Sequence, residues 1–171
     1  MALWHYAAMQ RAFALIRTLI VAPLFVWLWA WLVPQWFFGP LNIVHREAWI
    51  VMAIGGGLAF WCAFEFAWRG RGTPAPFDPP RRLVVSGLYR FVRNPMYLGF
   101  GILLIGEAWL TGRIEFIYEM LIALAAVSVF VMVYEEPVLR SKFGDDYIEY
   151  CRNVRRWIPR LTPWYSPSHL E

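Results

Sequence analysis

The sequence predicts an all-α integral membrane protein, with about four transmembrane helices and a C-terminal helix that lies along the membrane interface. Of its 171 residues, 60% are hydrophobic, more than is usual in a soluble domain. These residues are gathered into long runs of the kind that cross a bilayer. The 11 tryptophans suit the two bilayer interfaces, where this residue is enriched.

Four apolar runs predict the transmembrane helices. Pro23 is expected to kink the first, and the glycines Gly55-Gly56-Gly57 in the second allow another helix to approach closely. The third run is short, at about 15 residues, which predicts a tilted, broken or partly interfacial helix. The predicted spans cover residues 12–33, 48–68, 96–110 and 115–134.

The positive charges predict the side of the membrane on which each connection lies. Of the 16 Lys and Arg residues, 14 lie near the start of the chain, between residues 69 and 93, or after residue 135. Because cytoplasmic connections carry the excess of these residues, we expect both termini and the middle loop on the cytoplasmic side of a bacterial inner membrane. The net charge of +4 then serves orientation and lipid-headgroup contact, and no nucleic-acid partner is expected.

The chain is predicted to form one domain over residues 1–171. One cysteine lies in an apolar run and the other in the polar tail, which argues against a disulfide framework. The three histidines lack metal-ligand spacing, so no metal site is expected. The parts of the domain are the first two spans in residues 1–68, a proline-rich cytoplasmic loop in 69–95, the third and fourth spans in 96–134 and a cytoplasmic tail helix in 135–171.

The tail has a helical pattern over residues 135–154, where apolar residues recur at steps of three and four with charges between them. Beside a membrane, such a helix is expected to lie along the interface. Pro159 and Pro163 are expected to end it. The recurring residues are Leu139, Phe143, Tyr147, Tyr150 and Val154.

The densest polar cluster covers residues 86–101, at the mouth of the third span. Asn94-Pro95 is typical of a helix start, with asparagine as the cap and proline in the first turn. Such a start presents free N–H groups that suit a carboxylate. Arg90 and Arg93 fit the same role, although interfacial arginines also snorkel to lipid phosphates. The glycines of Gly99-Phe100-Gly101 by themselves fit helix packing.

Several carboxylates lie in or beside the apolar runs, where an ionisable group is costly unless it is solvated or paired. Glu135-Glu136 closes the fourth span, either as a polar helix end or as a site for a cation or a hydroxyl-rich ligand. Glu65 and Glu107 lie within or at the edge of spans. Each is a functional candidate, and a partner arginine would equally explain it.

Four sequence blocks occur here in an order typical of one enzyme family. They are Gly87-Leu88-Tyr89, then Arg93-Asn94-Pro95-Met96-Tyr97-Leu98-Gly99, then Glu135-Glu136, and then Phe143-Gly144-Asp145-Asp146-Tyr147 with Tyr150. This ordered set resembles the isoprenylcysteine carboxyl methyltransferase family, which belongs with the membrane phospholipid methyltransferases. The resemblance covers roughly residues 81–159.

The resemblance implies a helical membrane enzyme that transfers a methyl group from S-adenosylmethionine to a lipophilic or membrane-embedded acceptor. The acceptor classes are a phospholipid amine, a thiol and an isoprenylcysteine-like carboxylate. The candidate catalytic residues are Arg90, which would bind the cofactor's carboxylate, and Glu107 and Glu136, either of which would act as a base. The expected cofactor-binding residues are Leu83, Val84, Tyr89, Arg93, Asn94, Pro95, Met96, Tyr97, Gly99, Gly101 and Glu135.

Two residues depart from the eukaryotic members of that family. Asn94 replaces a histidine and can only hydrogen-bond, while Val131 replaces an arginine associated with the acceptor's carboxylate. The second departure argues against a prenylcysteine carboxylate as the acceptor. Two other functions fit a membrane protein of this kind. An NADPH-dependent reductase would need basic residues where Glu135-Glu136 stands, and a non-catalytic scaffold would bind no nucleotide-like cofactor.

Overall fold

The computed structural model describes residues 32–40, 42–70 and 81–165, together with residues 16, 20, 24 and 28. All regular structure within these residues is helical. Most of the first predicted span, with Pro23, and the proline-rich residues 71–80 lie outside them. The helices are α1 (Val33–Phe38), α2 (Ala48–Gly70), α3 (Pro95–Thr111), α4 (Ile114–Phe130) and α5 (Glu136–Asn153), with a 3₁₀ turn at Gly87–Arg90 and a π-helical turn at Val131–Glu135.

Two helices in the described part of the chain are long and apolar enough to cross a membrane. They are α2 and the continuous helix Ile114–Asn153, which consists of α4, the π turn and α5. The shorter apolar helix α3 has 17 residues, in agreement with the short third run. Three predicted spans therefore coincide with apolar helices, and many of their large apolar side chains point outward, as expected where lipid is the solvent.

The interface between α2 and α3 is built from small residues. A side chain at Gly99 would place its Cβ 2.7 Å from the backbone nitrogen of Ala59 and 2.9 Å from the carbonyl oxygen of Gly55. A side chain at Gly106 would meet the backbone of Met52. The two backbones are thus in direct contact, which is how helices associate tightly in a membrane. The predicted close approach is confirmed at Gly55, whose Cβ would meet the backbone of Leu103 and Gly99, but not at Gly57, whose Cβ would meet nothing within 4 Å.

The far end of the bundle is closed by short connections. Gly112, at a φ of +64°, ends α3, and its N–H bonds to the carbonyls of Ala108 and Trp109, as in left-handed helix ends. The N–H groups of Val44 and His45 both donate to the carbonyl of Leu110. These bonds hold the loop before α2 against the end of α3, opposite the end that carries the polar cluster.

The tail forms a helix, as predicted, but it ends at Asn153, six residues before Pro159. The chain is already extended at Val154, which is buried in an apolar cluster with Val85, Tyr147 and Tyr150. The helix therefore ends where Val154 packs into this cluster, before Pro159 could interrupt it. Within α5, Gly144 has a φ of +53°, a conformation that side-chain-bearing residues rarely adopt. The resulting kink redirects the second half of α5.

The close contact between α2 and α3 predicts a sharp difference between two glycines. The Gly99→Ala variant is expected to lose about 1–3 kcal/mol of unfolding free energy, because its methyl group meets backbone that cannot rotate away. The Gly57→Ala variant is the matched control, since its Cβ would meet nothing within 4 Å, and it is expected to be neutral or slightly stabilised. Denaturant unfolding in detergent measures both, and equal stabilities would contradict the described interface.

Candidate functional site

An open cavity lies where α2 ends and α3 begins, with about 420 Å³ of unfilled space that includes solvent at its mouth. It is bounded by α2, the loop before α3, the π turn and α5. Its walls combine carboxylates and an arginine with tyrosines and aliphatic side chains. The lining residues are Phe66, Leu83, Val84, Tyr89, Arg93, Asn94, Val131, Glu135, Glu136, Leu139, Tyr147 and Tyr150.

Glu136 is held by two arginines from different segments. The Nε and Nη2 of Arg156 donate to the two carboxylate oxygens of Glu136 at 2.7 and 2.8 Å, and Arg93 lies 3.1 Å from Oε1. Burial alone would raise the pKa of the Glu136 carboxyl, but the Arg156 hydrogen bonds and the charges of Arg93, Arg156 and Arg140 hold it below its usual range. A carboxylate bound in this way is a poor proton acceptor, so Glu136 is better suited to holding the site together than to acting as a base.

Glu135, the neighbouring carboxylate, has a different environment. Its Oε2 accepts a hydrogen bond from the Tyr97 hydroxyl at 3.2 Å, and no lysine or arginine forms an ion pair with it within the described residues. Tyr97 lies in the first turn of α3, where its ring approaches that of Trp157. Glu135 therefore lines the cavity, and no lysine or arginine among the described residues compensates its charge.

Buried hydrogen bonds set the position of the loop before α3. The Ser86 hydroxyl donates to Glu65 at 2.9 Å, and the Tyr150 hydroxyl donates to the carbonyl of Tyr89 at 2.7 Å. Gly87 has a φ of +51° and lies against the Glu65 carboxylate, which leaves no room for a Cβ. Burial raises the pKa of Tyr89 well above its usual value, so this phenol stays neutral. The glycine and tyrosine of the first sequence block thus shape one wall of the cavity.

Arg93 and Asn94 connect this loop to the tail. Nη1 of Arg93 also lies 2.7 Å from the sulfur of Cys151, and its buried Nε has no hydrogen-bond partner among the described residues. Asn94 precedes α3, as predicted, but makes no side-chain cap; instead its amide donates to the carbonyl of Arg156 at 3.2 Å. The prediction that the Asn94 side chain caps the first turn of α3 is therefore wrong, although α3 does begin directly after Asn94.

Many of the predicted site residues are brought together. Met96 packs beside the cavity against a cluster of Cys62, Val84 and Tyr89, and Pro95 and Tyr97 share its helical turn. The predicted residues that line the cavity itself are Leu83, Val84, Tyr89, Arg93, Asn94, Glu135 and Glu136.

Besides Pro95, Met96 and Tyr97, which lie beside the cavity without lining it, four predicted site residues lie elsewhere. Gly99 lies against the backbone of α2, and a Cβ at Gly101 would touch Leu124 of α4, so both serve helix packing. The guanidinium of Arg90 lies 4.5 Å from the ring centre of Tyr165. Glu107 lies 13 residues along α3 from Asn94, roughly 20 Å at the helical rise, which separates it from the chemistry proposed for it.

Glu107 belongs instead to a second acidic group between α3 and α4. Its side chain is 1% exposed, and that of Glu119, which interacts with it electrostatically, is 8% exposed. None of the four carboxylate oxygens has a hydrogen-bond partner within the described part of the chain. Such isolated buried carboxyls are costly when charged, and their position near the far end of the bundle gives them no access to the cavity.

Sequence reasoning missed five lining residues and one that supports the site. Arg156 gave no signal among the other tail arginines, because only the folded chain brings it to Glu136. Tyr147 and Tyr150 do carry a signal, since both belong to the fourth sequence block of the resemblance and to the helical pattern of the tail. Val131 had one in the missing family arginine. The other two are Phe66 and Leu139.

The sequence of this chain is similar to those of known methyltransferases. The sequence model of the phospholipid methyltransferase family matches residues 44–146. The protein-S-isoprenylcysteine O-methyltransferase of Schizosaccharomyces pombe is 38% identical over 81 residues, which are 46% of this chain and 34% of that protein. Methanethiol S-methyltransferase 1 of Bradyrhizobium diazoefficiens is 35% identical over 81 residues, 47% of this chain and 27% of that protein.

An uncharacterized protein of Haemophilus influenzae is 34% identical over 64 residues, which are 37% of this chain and 100% of that protein. The chain thus spans 34% and 27% of the lengths of the two methyltransferases. No solved structure matches the chain.

The Arg156–Glu136 pair predicts a defined pH dependence of stability. Because the pKa of folded Glu136 is lowered, its contribution is full above the ordinary glutamate pKa of about 4.3 and is lost as the pH falls through the folded value. Arg156→Gln is expected to lower the free energy of unfolding by about 1–3 kcal/mol at neutral pH. It should also reduce the loss of stability that the wild-type protein shows as the pH falls into the acid range. Thermal unfolding in detergent across pH measures both effects, and an equal loss of stability in the variant over that range would contradict this assignment.

Proposed function

The chain belongs to the phospholipid methyltransferase family, and from this membership we propose that it transfers a methyl group from S-adenosylmethionine to a lipophilic acceptor at the cytoplasmic face of a membrane. The observation that carries the proposal is the cavity at the polar end of the apolar helices. It collects the motif residues into one pocket beside Glu135, a carboxylate with no cationic partner among the described residues. The charge bias of the sequence supports the cytoplasmic side of a bacterial inner membrane.

The polar residues of the cavity fit the cofactor. S-adenosylmethionine carries a carboxylate, an ammonium, ribose hydroxyls and a cationic sulfur. Glu135, oriented by Tyr97, would accept hydrogen bonds from the ammonium or the ribose. The unpartnered Nε of Arg93 would bind the carboxylate, and the nearby start of α3 would add a favourable potential. The carboxylate and the ammonium of the cofactor would thus each face a side chain of opposite charge.

The remaining wall suits the less polar parts of the cofactor. Tyr89 stays neutral because it is buried, and its ring would pack on the adenine or face the sulfonium. Val84 and Val131 are nearly fully buried and provide apolar contact. These residues come from the loop and the π turn, so the pocket depends on the packing of both.

The proposed reaction needs little acid–base catalysis from the protein. When bound, the cofactor supplies a methyl group already activated by the adjacent sulfonium. The chain's residues would hold it in line with the acceptor and exclude water. Glu135 and Arg93 would fix its orientation, and Glu136, neutralised by two arginines, would keep Arg93 in position. A carboxylate acceptor needs no base, whereas an amine or a thiol must lose a proton.

The charges of the cavity bear on the acceptor. Arg93 is the one lysine or arginine among its described lining residues, and Glu136 together with the cofactor's carboxylate would occupy it. Val131 adds an apolar surface where the eukaryotic isoprenylcysteine carboxyl methyltransferases have an arginine. A carboxylate acceptor would therefore meet glutamates without a free cation. We place a neutral amine or thiol on a lipophilic molecule, entering sideways from the bilayer, ahead of a prenylcysteine carboxylate.

Glu135 provides the test of cofactor binding. Glu135→Gln is expected to weaken S-adenosylmethionine binding by about 10- to 100-fold, because hydrogen bonds to a charged group are lost. Isothermal titration calorimetry in detergent measures the affinity. Glu149→Gln, an exposed change on α5, is the matched control and should bind normally. Unchanged affinity in Glu135→Gln would remove this residue from the site.

Two further measurements separate the functions. A thermal shift with S-adenosylmethionine but not with NADPH is expected; stabilisation by NADPH alone would favour a reductase, and stabilisation by neither a scaffold. Purified protein incubated with labelled S-adenosylmethionine and a total lipid extract should then yield a labelled lipophilic product. Its mass identifies the acceptor.

A further inference from the structure

The segment that follows α5, residues 154–165, runs across the loop before α3 and is called the strap. It has no regular helix or strand. Its backbone is bonded to the loop at three points. The N–H of Arg93 donates to the carbonyl of Arg155 at 3.0 Å, that of Arg160 to Phe91 at 2.8 Å and that of Trp164 to Arg90 at 3.1 Å. These bonds fix the strap against the loop, so one side of the strap faces the candidate site and the other faces away from it; they are called the inner and outer sides.

The inner side of the strap belongs to the candidate site. Arg156 binds Glu136 through two hydrogen bonds, and its carbonyl accepts the amide of Asn94. The ring of Trp164 lies 5.8 Å from that of Tyr150. Displacement of the strap would thus release residues that line the cavity.

The depth of the strap follows from Trp157. Its ring lies 6.4 Å from that of Tyr97, which is in the first turn of the apolar helix α3. Trp157 therefore lies beside the first turn of an apolar helix, and tryptophan and tyrosine are enriched at the level of the lipid headgroups.

The strap and the end of α5 that leads into it expose both apolar and basic side chains. Leu161 is 100% exposed and Ile158 is 61% exposed, although both belong to a polar, irregular segment. Arg152, at the end of α5, and Arg155, within the strap, are exposed as well. Apolar side chains that enter a bilayer surface between arginines are the features by which segments bind anionic lipid. The exposed arginines favour an anionic lipid surface over a neutral one.

We propose that the strap docks on the anionic cytoplasmic leaflet of the membrane, with Ile158 and Leu161 among the acyl chains and Arg152 and Arg155 at the lipid phosphates. The lipid contact and the site are then opposite sides of one segment. Anionic lipid would hold the strap in the position in which Arg156 binds Glu136. The proposal concerns strap binding to lipid and does not depend on methyl transfer.

Hydrogen–deuterium exchange of the full-length protein in nanodiscs tests this docking. Strap amides are expected to exchange more slowly when phosphatidylglycerol is added to phosphatidylcholine, by about fivefold for each arginine contact. High salt should remove the difference, because surface charges are screened. Leu161→Ser should reduce protection in both lipids, and Arg155→Gln should reduce the response to phosphatidylglycerol.

Matched controls lie at the opposite end of the bundle. Trp36→Ser removes an apolar side chain that is 82% exposed, and Arg46→Gln removes an exposed arginine; both should leave strap exchange unchanged. Equal strap exchange in the two lipids, or wild-type exchange in both strap variants, would overturn the proposal. Calorimetry with S-adenosylmethionine separately tests the proposed function, so either idea can fail alone.

Discussion

The ion pair between Arg156 and Glu136 is the interaction on which the candidate site depends. It joins the strap to α5, and Arg93 extends it to the loop before α3. Partly buried charges are costly to desolvate and are tolerated when good geometry repays that cost. Here the bidentate guanidinium supplies this geometry, so each charge depends on the others. Loss of Arg156 would leave Glu136 with Arg93 as its remaining close ion-pair partner among the described residues and would remove the ion pair that links the strap to α5.

The membrane limits where such a network can form. Backbone that leaves a helix must find other hydrogen bonds, and an apolar bilayer supplies none. In the described chain, the loop and the strap meet this requirement by pairing with each other at the end of the bundle. Between the two ends, helices associate through glycine and alanine contacts, which need no polar groups. The apolar segment thus provides a rigid base, and the chemistry is concentrated at one end.

Much of the helical architecture could be predicted from the sequence, because span length and apolar content are local properties of the chain. The cavity-lining loop residues were also predictable through the ordered motifs. Arg156 was not, since several tail arginines look alike until folding selects one. Gly99 and Gly101 lie in helix contacts rather than in the cavity lining, and the sequence could not show this because a small residue suits either a ligand or a neighbouring helix. The position of Glu107 away from the cavity was equally hidden, because a carboxylate in an apolar run does not show which side chains surround it.

The π-helical turn explains how an apolar span leads directly into a polar helix that lines a site. In this turn the N–H of Glu136 bonds to the carbonyl of Val131, five residues earlier, where a regular helix would use the residue four earlier. The extra residue rotates α5 relative to α4 without a break in the backbone. Val131, Glu135 and Glu136 all line the cavity in consequence. Gly144 then redirects the chain again, which allows Tyr147 and Tyr150 to reach the same wall. Two local departures from α-helical geometry, rather than an additional domain, therefore convert a membrane helix into the wall of a binding site.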